Sequence, residues 1–318
     1  MKSTVLRMTG TQSDAVITPP KAGLDFAAVK LGNRYMIVSA DPITGVSENI
    51  GHYAINVSAN DVATSGSRPQ FAESVVLLPD GSSAKDVGDV ARQMHRAARN
   101  LGITIVGGHT EVTPGLGFPI VVATVFSFVE RYVSSRDART GDAIMMTKSA
   151  GIEGTAALAR HSSLTGKVPA RVILRALGFH KKISVVEDSV AAFQTGFVRA
   201  MHDCTEGGVL GAVFEMSLAS DLGFTLREDE VPVARETRTI CETLSLDPLR
   251  LIGSGSVLLS VERGREAQVA KALDSVCRVT IIGEFTRGSR VLVKKDGEEE
   301  VIRSAPEDEL WHALGQRT

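Results

Sequence analysis

Cysteine is scarce in this chain of 318 residues, which contains only Cys204, Cys241 and Cys277. None of the three belongs to a C-x-x-C pair, and an odd number cannot pair completely within one chain. This usage argues against a disulfide framework and against a structural zinc site, and it favours a reducing compartment.

Long apolar runs and charge of a single sign are also missing. No apolar run approaches the roughly 18 residues that a membrane-spanning helix needs, and the first ten residues, MKSTVLRMTG, contain no apolar signal core. The chain has 35 basic and 37 acidic residues and a net charge of −2. We therefore expect a cytoplasmic protein whose partners include neither nucleic acid nor a membrane.

Length and composition predict two domains. The chain is long for one hydrophobic core, and its content of 43% apolar and 23% charged residues is ordinary for a soluble protein. A polar, turn-rich segment at 133–141 is where we place the boundary, which gives domains 1–140 and 141–318. Apolar periodicity predicts strands at 25–39 (two, with a turn at 31–34), 71–78, 103–106, 119–129, 142–148, 257–261, 277–283 and 290–294. It predicts helices at 48–65, 84–101, 155–160, 264–274 and 307–314, and two further helices within 168–198.

The stretch from Asp41 to Gly66 contains the first candidate site. An apolar run leads to Asp41, which precedes a turn predicted at Pro42 and Gly45, and the helix that follows contains Asn60 and Asp61. Carboxylates at the end of a strand and on a neighbouring helix suit hard cations and the phosphates that those cations bring.

Asp25 lies upstream in a similar setting of small residues. We interpret Asp25, Asp41 and Asp61 as a magnesium–ATP site. An alternative applies to any one of them taken alone, because polar residues beside a packed helix face are often satisfied core groups or caps.

A second candidate is the segment Gly107-Gly108-His109-Thr110, which follows a β-branched strand. Paired glycines let the backbone approach a ligand and direct its N–H groups toward it. The alternative is a tight turn that requires positive φ. His95 has no Cys, Asp or Glu at ligand spacing, and we interpret it as a surface or helix-packing residue.

The third candidate is Asp203-Cys204-Thr205-Glu206-Gly207-Gly208, which precedes a helix predicted to end near Ala219. Asp203 or Thr205 is a candidate cap for that helix, and a free helix start is also a site for an anion. The chain contains neither the G-x-x-x-x-G-K-[ST] nor the G-x-G-x-x-G nucleotide motif. A nucleotide would have to bind by a different arrangement.

Taken together, in their order and spacing, these segments resemble a known family. The motifs are G-x-D-x-A-A-V at 23–29, Asp41-Pro42, N-D-V-A-T-S-G-S-R-P at 60–69, G-G-H-T at 107–110, D-x-T-x-G-G at 203–208, and D-P-L at 247–249 leading to G-S-G at 253–255. They resemble the family of aminoimidazole ribonucleotide (AIR) synthase, thiamine-monophosphate kinase, selenophosphate synthetase and the hydrogenase maturation factor HypE, and are most similar to its HypE-like branch.

The resemblance implies a two-domain α+β fold. In it the N-terminal sheet forms a barrel with its copy in a homodimer, and the C-terminal domain is an α/β sandwich. It implies ATP and Mg²⁺ as cofactors, with Asp25, Asp41 and Asp61 as metal contacts. Asn60, Asp61 and residues Gly107, Gly108, His109 and Thr110 would contact the nucleotide, and Asp203 and His109 would act in catalysis. The expected activity is phosphoryl transfer that activates a small amide, carboxylate or phosphate acceptor.

The chain departs from its relatives at several positions. HypE ends in a cysteine that carries the carboxamide, whereas no cysteine follows Cys277 here, so we expect a free substrate rather than a tethered one. His109 and Glu111 replace an Asp and a Lys, Ser254 replaces a Glu, and Leu24 replaces the first Asp of the kinases' pair. Two alternatives therefore stay open: a non-catalytic ATP-binding accessory protein in hydrogenase or metal-centre maturation with a partner protein, and a small-metabolite kinase.

Overall fold

The fold is described from a computed structural model that covers residues 2–44 and 48–315, with only the backbone described for Lys2 and Ser3. Residue Gly45 and the last three residues, 316–318, lie outside the described part. The turn predicted at Pro42 and Gly45 is wrong for Pro42, which lies within the strand Arg34–Ile43 and pairs with Val122. The chain divides into two compact units. The first comprises residues 1–20 and 25–132, and the second comprises 21–24 and 133–318.

The first unit is a five-stranded sheet with two long helices. Its strands lie in the order β1-β2-β5-β3-β4, and only the β3–β4 pair is parallel. The elements are α1 (Lys2–Val5), β1 (Ala27–Leu31), β2 (Arg34–Ile43), α2 (Ile50–Ala63), β3 (Phe71–Leu78), α3 (Ala84–Leu101), β4 (Thr104–Val112) and β5 (Ile120–Val129). The bounds predicted for β3 and α3 are confirmed.

Helix α2 is the buried centre of this unit, since every residue from Ile50 to Ala63 except His52 is buried. The helix contacts the β2–β5 part of the sheet and α3. Gly51 permits the close approach of α3, because a Cβ there would lie 2.6 Å from the carbonyl oxygen of Val90. Ser58 donates a hydrogen bond to the carbonyl of Ala123 in β5 at 2.8 Å, which fixes α2 on the sheet.

One edge and part of one face of this sheet remain accessible. Along β5 the residues alternate between buried and half-buried, and the half-buried Phe126 and Phe128 form a ring cluster with Phe71 of β3. Strand β4 is exposed along its whole length. It is the last strand of the sheet, and its outer edge pairs with no strand in the described ranges.

The second unit is a seven-stranded mixed sheet with the order β12-β11-β8-β10-β6-β9-β7. Its elements are β6 (Ala143–Thr147), α4 (Ile152–Leu158), α5 (Ala170–Leu177), α6 (Val186–Gln194), β7 (Val198–Asp203), α7 (Gly208–Ser220), β8 (Gly223–Arg227), α8 (Arg235–Leu244), β9 (Val257–Val261), α9 (Glu266–Leu273), β10 (Val279–Thr286), β11 (Arg290–Val293), β12 (Glu299–Val301) and α10 (Glu309–Ala313).

Helices cover both faces of the second sheet. Ile144 and Met146 of β6 pack in one apolar cluster with residues of α7. Met145, between them, packs in another with residues of α6 and α9, as the two-residue period of a strand requires. Helices α4, α5 and α8 share a third cluster. The predicted mixed α+β fold is therefore confirmed, whereas β7, β8, α8 and β12 were missed.

The segment from Ile152 to Leu164 differs in part from its prediction. The helix predicted at 155–160 begins earlier, at Ile152, and a short 3₁₀ turn at Ser162–Leu164 follows it. Among the described residues, no helix combines the length and the apolar character that crossing a bilayer requires.

Candidate functional site

The first predicted cluster is built around Asp61 in the last turn of α2. Asp61 is buried, and its Oδ2 accepts a hydrogen bond from the hydroxyl of Ser39 in β2 at 2.6 Å. Asp41 lies two residues beyond Ser39 in the same strand, so the two residues share the face of the sheet that contacts α2. The structure thus places Asp41 and Asp61 on adjacent parts of β2 and α2.

Asp25 lies two residues before β1. Because Ala27, the first residue of β1, pairs with Val38 of β2 in antiparallel register, we expect Asp25 to lie toward the end of β2 that contains Asp41. The order of the motifs in the sequence therefore corresponds to neighbouring positions along β1, β2 and α2. Asn60 is fully buried in the same turn of α2 as Asp61.

The chemistry of these residues fits Mg²⁺ because all of the donors are oxygen atoms. Within residues 2–44 and 48–315, no three His, Cys, Asp or Glu side chains form a ready-made metal site. Mg²⁺ does not require such a set, because it is commonly held by one or two carboxylates together with water and substrate phosphates. Asp25, Asp41 and Asp61 as metal contacts remain a prediction that fits the donor chemistry.

The Gly107–Gly108 pair lies inside β4, so the turn considered as its alternative is wrong. Gly108 has φ +152°, and a Cβ there would lie 2.1 Å from the carbonyl oxygen of Ser74 in β3. Its identity is therefore required by the close approach of two strands. At Gly107 a Cβ would meet only an oxygen of Glu73, at 3.6 Å, so strand packing leaves the surface at Gly107 open.

His109 and Glu111 form an exposed pair on one side of β4. The Nε2 atom of His109 lies 3.0 Å from Oε2 of Glu111, and the two side chains are 64% and 47% exposed. Thr113 donates a hydrogen bond to the other oxygen of Glu111 at 2.9 Å. The hydrogen bonds from His109 and Thr113 lower the pKa of the Glu111 carboxyl. Sequence reasoning named His109 as a site residue but did not include Glu111, although spacing of two residues in a strand was the available signal.

In the second unit, Asp203 is the last residue of β7 and is buried. The helix that follows begins at Gly208, and its N-cap is Gly207, which has φ +74° and no side-chain cap. The predicted cap at Asp203 or Thr205 is therefore wrong, since the strand continues to Asp203 and places the helix start farther along the chain.

The alternative, an anion at the start of α7, is not supported either. The N–H of Gly207 donates a hydrogen bond to Oδ2 of Asp308 at 2.7 Å, so a carboxylate from the chain itself occupies the position expected for an anion. Asp308 also accepts a hydrogen bond from the N–H of Leu310 at 2.8 Å and is the N-cap of α10. Sequence reasoning missed this residue, although an aspartate directly before a predicted helix is a cap signal.

Comparison with known protein families agrees with this architecture. The model of the AIR synthase related protein N-terminal domain matches residues 23–129, and that of the corresponding C-terminal domain matches residues 139–296. The chain belongs to the AIR synthase related protein family. The resemblance inferred from the spaced motifs is confirmed. The N-terminal match lies in the first unit except for residues 23–24, and the C-terminal match lies in the second unit.

Relatives of this family connect the chain with hydrogenase maturation factors. The carbamoyl dehydratase HypE of Rhizobium leguminosarum bv. viciae is 27% identical over 260 residues, covering 79% of this chain and 73% of the relative. The hydrogenase expression/formation protein HupE of Azotobacter chroococcum mcd 1 is 28% identical over 303 residues, covering 87% and 86%.

Solved structures show the same two-domain fold. The HypE–HypF complex matches with a TM-score of 0.76 at 21% identity, covering 88% of this chain and 93% of the other. A ThiL complexed with AMPPCP and TMP matches with a TM-score of 0.73 at 18% identity, covering 90% and 89%. HypE in complex with ATP matches with a TM-score of 0.68 at 22% identity, covering 95% and 91%.

Proposed function

We propose that this member of the family is an ATP- and Mg²⁺-dependent enzyme that activates a small amide, carboxylate or phosphate acceptor by phosphoryl transfer. The observation that carries the proposal is the hydrogen bond from Ser39 to Asp61. It holds a buried carboxylate of α2 in position beside the β2 segment that contains Asp41. Carboxylate oxygens are the ligands that a hard cation with bound phosphates prefers.

In this proposal Asp25, Asp41 and Asp61 hold Mg²⁺, which neutralises phosphate charge when it is bound. Asn60 offers an amide beside Asp61. The exposed backbone of Gly107 and Gly108 and the hydroxyl of Thr110 offer hydrogen-bond donors to phosphate oxygens.

Two residues are proposed for the chemistry on the acceptor. The imidazole of His109, held by Glu111 at 3.0 Å, is oriented to exchange a proton or to contact a phosphate. Asp203, buried at the end of β7, is proposed as the catalytic carboxylate of the second unit.

The names of relatives support ATP chemistry. One relative is named as a carbamoyl dehydratase, one solved neighbour contains ATP, and another contains AMPPCP together with TMP. Phosphoryl transfer from ATP to a small acceptor is one reaction class that is consistent with the names and ligands of all three proteins.

A second candidate function is an accessory role in hydrogenase maturation. A relative is named as a hydrogenase expression/formation protein, and a solved neighbour was determined as a HypE–HypF complex. Under this candidate the chain binds ATP without turnover and acts through a maturation partner protein. The neighbour with TMP bound favours instead a small-metabolite kinase.

We also propose that the protein is a homodimer formed through the first unit. Strand β4 has an unpaired outer edge, with Val106 and Val112 exposed by 56% and 45%. The ring cluster of Phe71, Phe126 and Phe128 is half-buried on the adjoining sheet. Exposed edges of this kind pair with another strand unless they are protected, and a second copy of the sheet offers both an edge and an apolar face.

An ATPase assay with Asp61→Asn tests the enzyme proposal. We expect the variant to lose Mg²⁺-dependent ATP turnover by about 100-fold or more, because a preorganised charge at the metal is removed. Asp89→Asn, an exposed residue of α3 that is paired with Arg92, serves as the matched control and should retain full activity.

The proposal fails if wild type and Asp61→Asn show the same background rate while both still bind ATP, and the accessory candidate then stands. Transfer of ³²P from γ-labelled ATP to a small metabolite would distinguish a kinase from an enzyme that releases phosphate during synthesis.

A further inference from the structure

The segment 154–186 is basic, although the charges of the chain as a whole are balanced. It contains six lysines and arginines and no aspartate or glutamate, whereas the full sequence has 35 basic and 37 acidic residues. The six cations are all exposed and are Arg160, Lys167, Arg171, Arg175, Lys181 and Lys182. None of them is among the site residues proposed above.

Helix α5 presents part of this positive charge on a single face. Its Val172 and Ala176 are buried in the apolar cluster shared with α4 and α8. Arg171, Leu174 and Arg175 are spaced three and four residues apart and lie on the opposite face. Leu174 is 70% exposed and the side chain of Arg175 is 69% exposed. The outer face of α5 therefore carries an exposed leucine between two guanidinium groups.

The surface around α5 is held in place by the core beneath it. Helix α4 and the 3₁₀ turn Gly178–Lys182 contact each other and α5. Phe179 in that turn is buried, and the Nζ atom of Lys182 lies 4.4 Å from the centre of its ring. Because these segments are packed, a partner would meet a preformed surface and would not have to order a loop.

Most of this positive charge is not neutralised within the chain. Arg175 pairs with Glu236 of α8 at 3.6 Å. Within residues 2–44 and 48–315, no carboxylate lies within ion-pair distance of Lys167, Arg171 or Lys181. Unpaired cations grouped on one surface attract an acidic partner and steer its approach.

The residues between the cations favour a protein as that partner. Surfaces that bind single-stranded nucleic acid carry exposed aromatic rings for base stacking, whereas the one aromatic ring of this segment, Phe179, is buried. Helices that lie on a membrane turn their apolar stripe toward the lipid, whereas Val172 and Ala176 of α5 face the core. A single exposed leucine is ordinary, but between two arginines it offers an apolar contact to a peptide segment that also carries carboxylates.

We propose that the α5 face formed by Arg171, Leu174 and Arg175 binds an acidic segment of a partner protein, which places an apolar side chain on Leu174. Lys167 and Lys181, which precede and follow the helix, add to the attraction. The surface lies within the second unit. The proposal does not depend on the ATP chemistry proposed above, and it is tested by binding alone.

The test is a titration of a fluorescein-labelled peptide with the full-length protein at low ionic strength, followed by fluorescence anisotropy. The probe is the peptide EEELEEE, and a second peptide has serine in place of the leucine. We expect the leucine peptide to bind about fivefold more tightly, since its contact with Leu174 removes apolar surface from water. Added salt should weaken the binding of both peptides.

Three variants of exposed residues separate a specific surface from a general effect of charge. Arg171→Glu should weaken binding of the leucine peptide by about tenfold or more, because an attraction becomes a repulsion. Arg96→Glu makes the same change on the exposed side of α3 in the first unit and should change the affinity less than about twofold. Leu174→Ser should weaken the leucine peptide about fivefold and leave the serine peptide unchanged, which is the coupling expected of a direct contact.

Three results would overturn the proposal. The first is an equal loss of affinity in Arg171→Glu and Arg96→Glu. The second is a Leu174→Ser variant that affects both peptides equally or affects neither. The third is a single-stranded oligonucleotide, or a phosphatidylserine vesicle, that binds more tightly than the leucine peptide and loses its affinity in Arg171→Glu, which would assign the surface to nucleic acid or to a membrane. Because no step of this test uses ATP, its failure would leave the proposed enzymatic function unaffected.

Discussion

The hydroxyl of Ser39 donates a hydrogen bond to Oδ2 of Asp61 at 2.6 Å, and this contact joins β2 to the last turn of α2. Hydrogen bonds from a hydroxyl to a carboxylate are short and strong because the acceptor is charged. The contact restricts the Asp61 side chain to one orientation. Ser39 is therefore proposed as a positioning residue for the carboxylate that we assign to Mg²⁺.

Ser39→Ala should lower kcat/KM for MgATP about tenfold, the effect expected for one hydrogen bond to a charged group. The loss should be smaller than that of Asp61→Asn, and it should appear as a raised Mg²⁺ requirement in a titration at saturating ATP. Ser39→Thr, which keeps the hydroxyl, should restore most of the activity. An unchanged Mg²⁺ requirement in Ser39→Ala would remove Ser39 from this role.

Gly108→Ala should destabilise the protein by about 2–4 kcal/mol, because a Cβ would lie 2.1 Å from the carbonyl of Ser74 and the residue has φ +152°. Gly107→Ala is the matched control, since its nearest contact would be at 3.6 Å, and it should cost less than about 1 kcal/mol. Urea denaturation measures both. Equal losses in the two variants would show that the β3–β4 approach does not impose glycine at position 108.

Val106→Lys should convert a dimer to a monomer, because it places a charge on the exposed edge strand β4, where Val106 is 56% exposed. Light scattering after gel filtration gives the mass. Leu174→Lys replaces a leucine of α5 that is 70% exposed and should leave the assembly unchanged. A wild-type protein that remains monomeric at high concentration would refute the proposed homodimer directly.

Glu153→Gln should remove a pH dependence of stability. The pKa of Glu153 is raised from 4.5 to about 7 in the folded protein, mainly by burial, so the folded state retains a proton that the unfolded state loses. The contribution of Glu153 is therefore fully present below about pH 4.5 and is lost as the pH rises through about 7.

Relative to wild type, Glu153→Gln should gain stability between pH 5 and pH 8, by up to about 3 kcal/mol at 1.36 kcal/mol per unit. Urea denaturation at several pH values measures the difference in the free energy of unfolding between the variant and wild type. Most contributions of other titrating groups cancel in this difference. A difference that stays constant across this range would contradict the raised pKa.

The bounds of an element could be predicted from the sequence where residues at its own ends, such as helix caps, determine where it begins and stops. Helix α3 was predicted with its observed bounds, and in the structure Ser83 and Asp86 form a capping box at its start while Gly102 ends it with φ +72°. Strand β7 was missed because its apolar residues follow a helical region directly. The cap expected at Asp203 failed for the same reason, since the helix start depends on where β7 ends.

The sequence identified some of the functionally interesting residues and missed others. Asp25, Asp41 and Asp61 were selected because their motifs occur in a recognisable order. In the structure β2, which contains Asp41, contacts both β1 and α2. Glu153 was not selected, because nothing near it in the chain distinguishes it from an ordinary helix carboxylate. Asp308 and Glu206, whose charges contribute to its raised pKa, come from segments far away in sequence, and only folding brings them close enough to act on it.

The sequence by itself determined the family, the mixed α+β class and the oxygen-rich character of the aspartate cluster, because motif order, strand and helix periods and side-chain chemistry are properties of the chain. The tertiary structure decided which groups are near one another. It placed Asp308 at the start of α7, made Gly108 necessary through the carbonyl of Ser74, and enclosed an oxygen of Glu153. The physical reason is that burial and Coulomb interactions depend on distances in space, which separation along the chain does not specify.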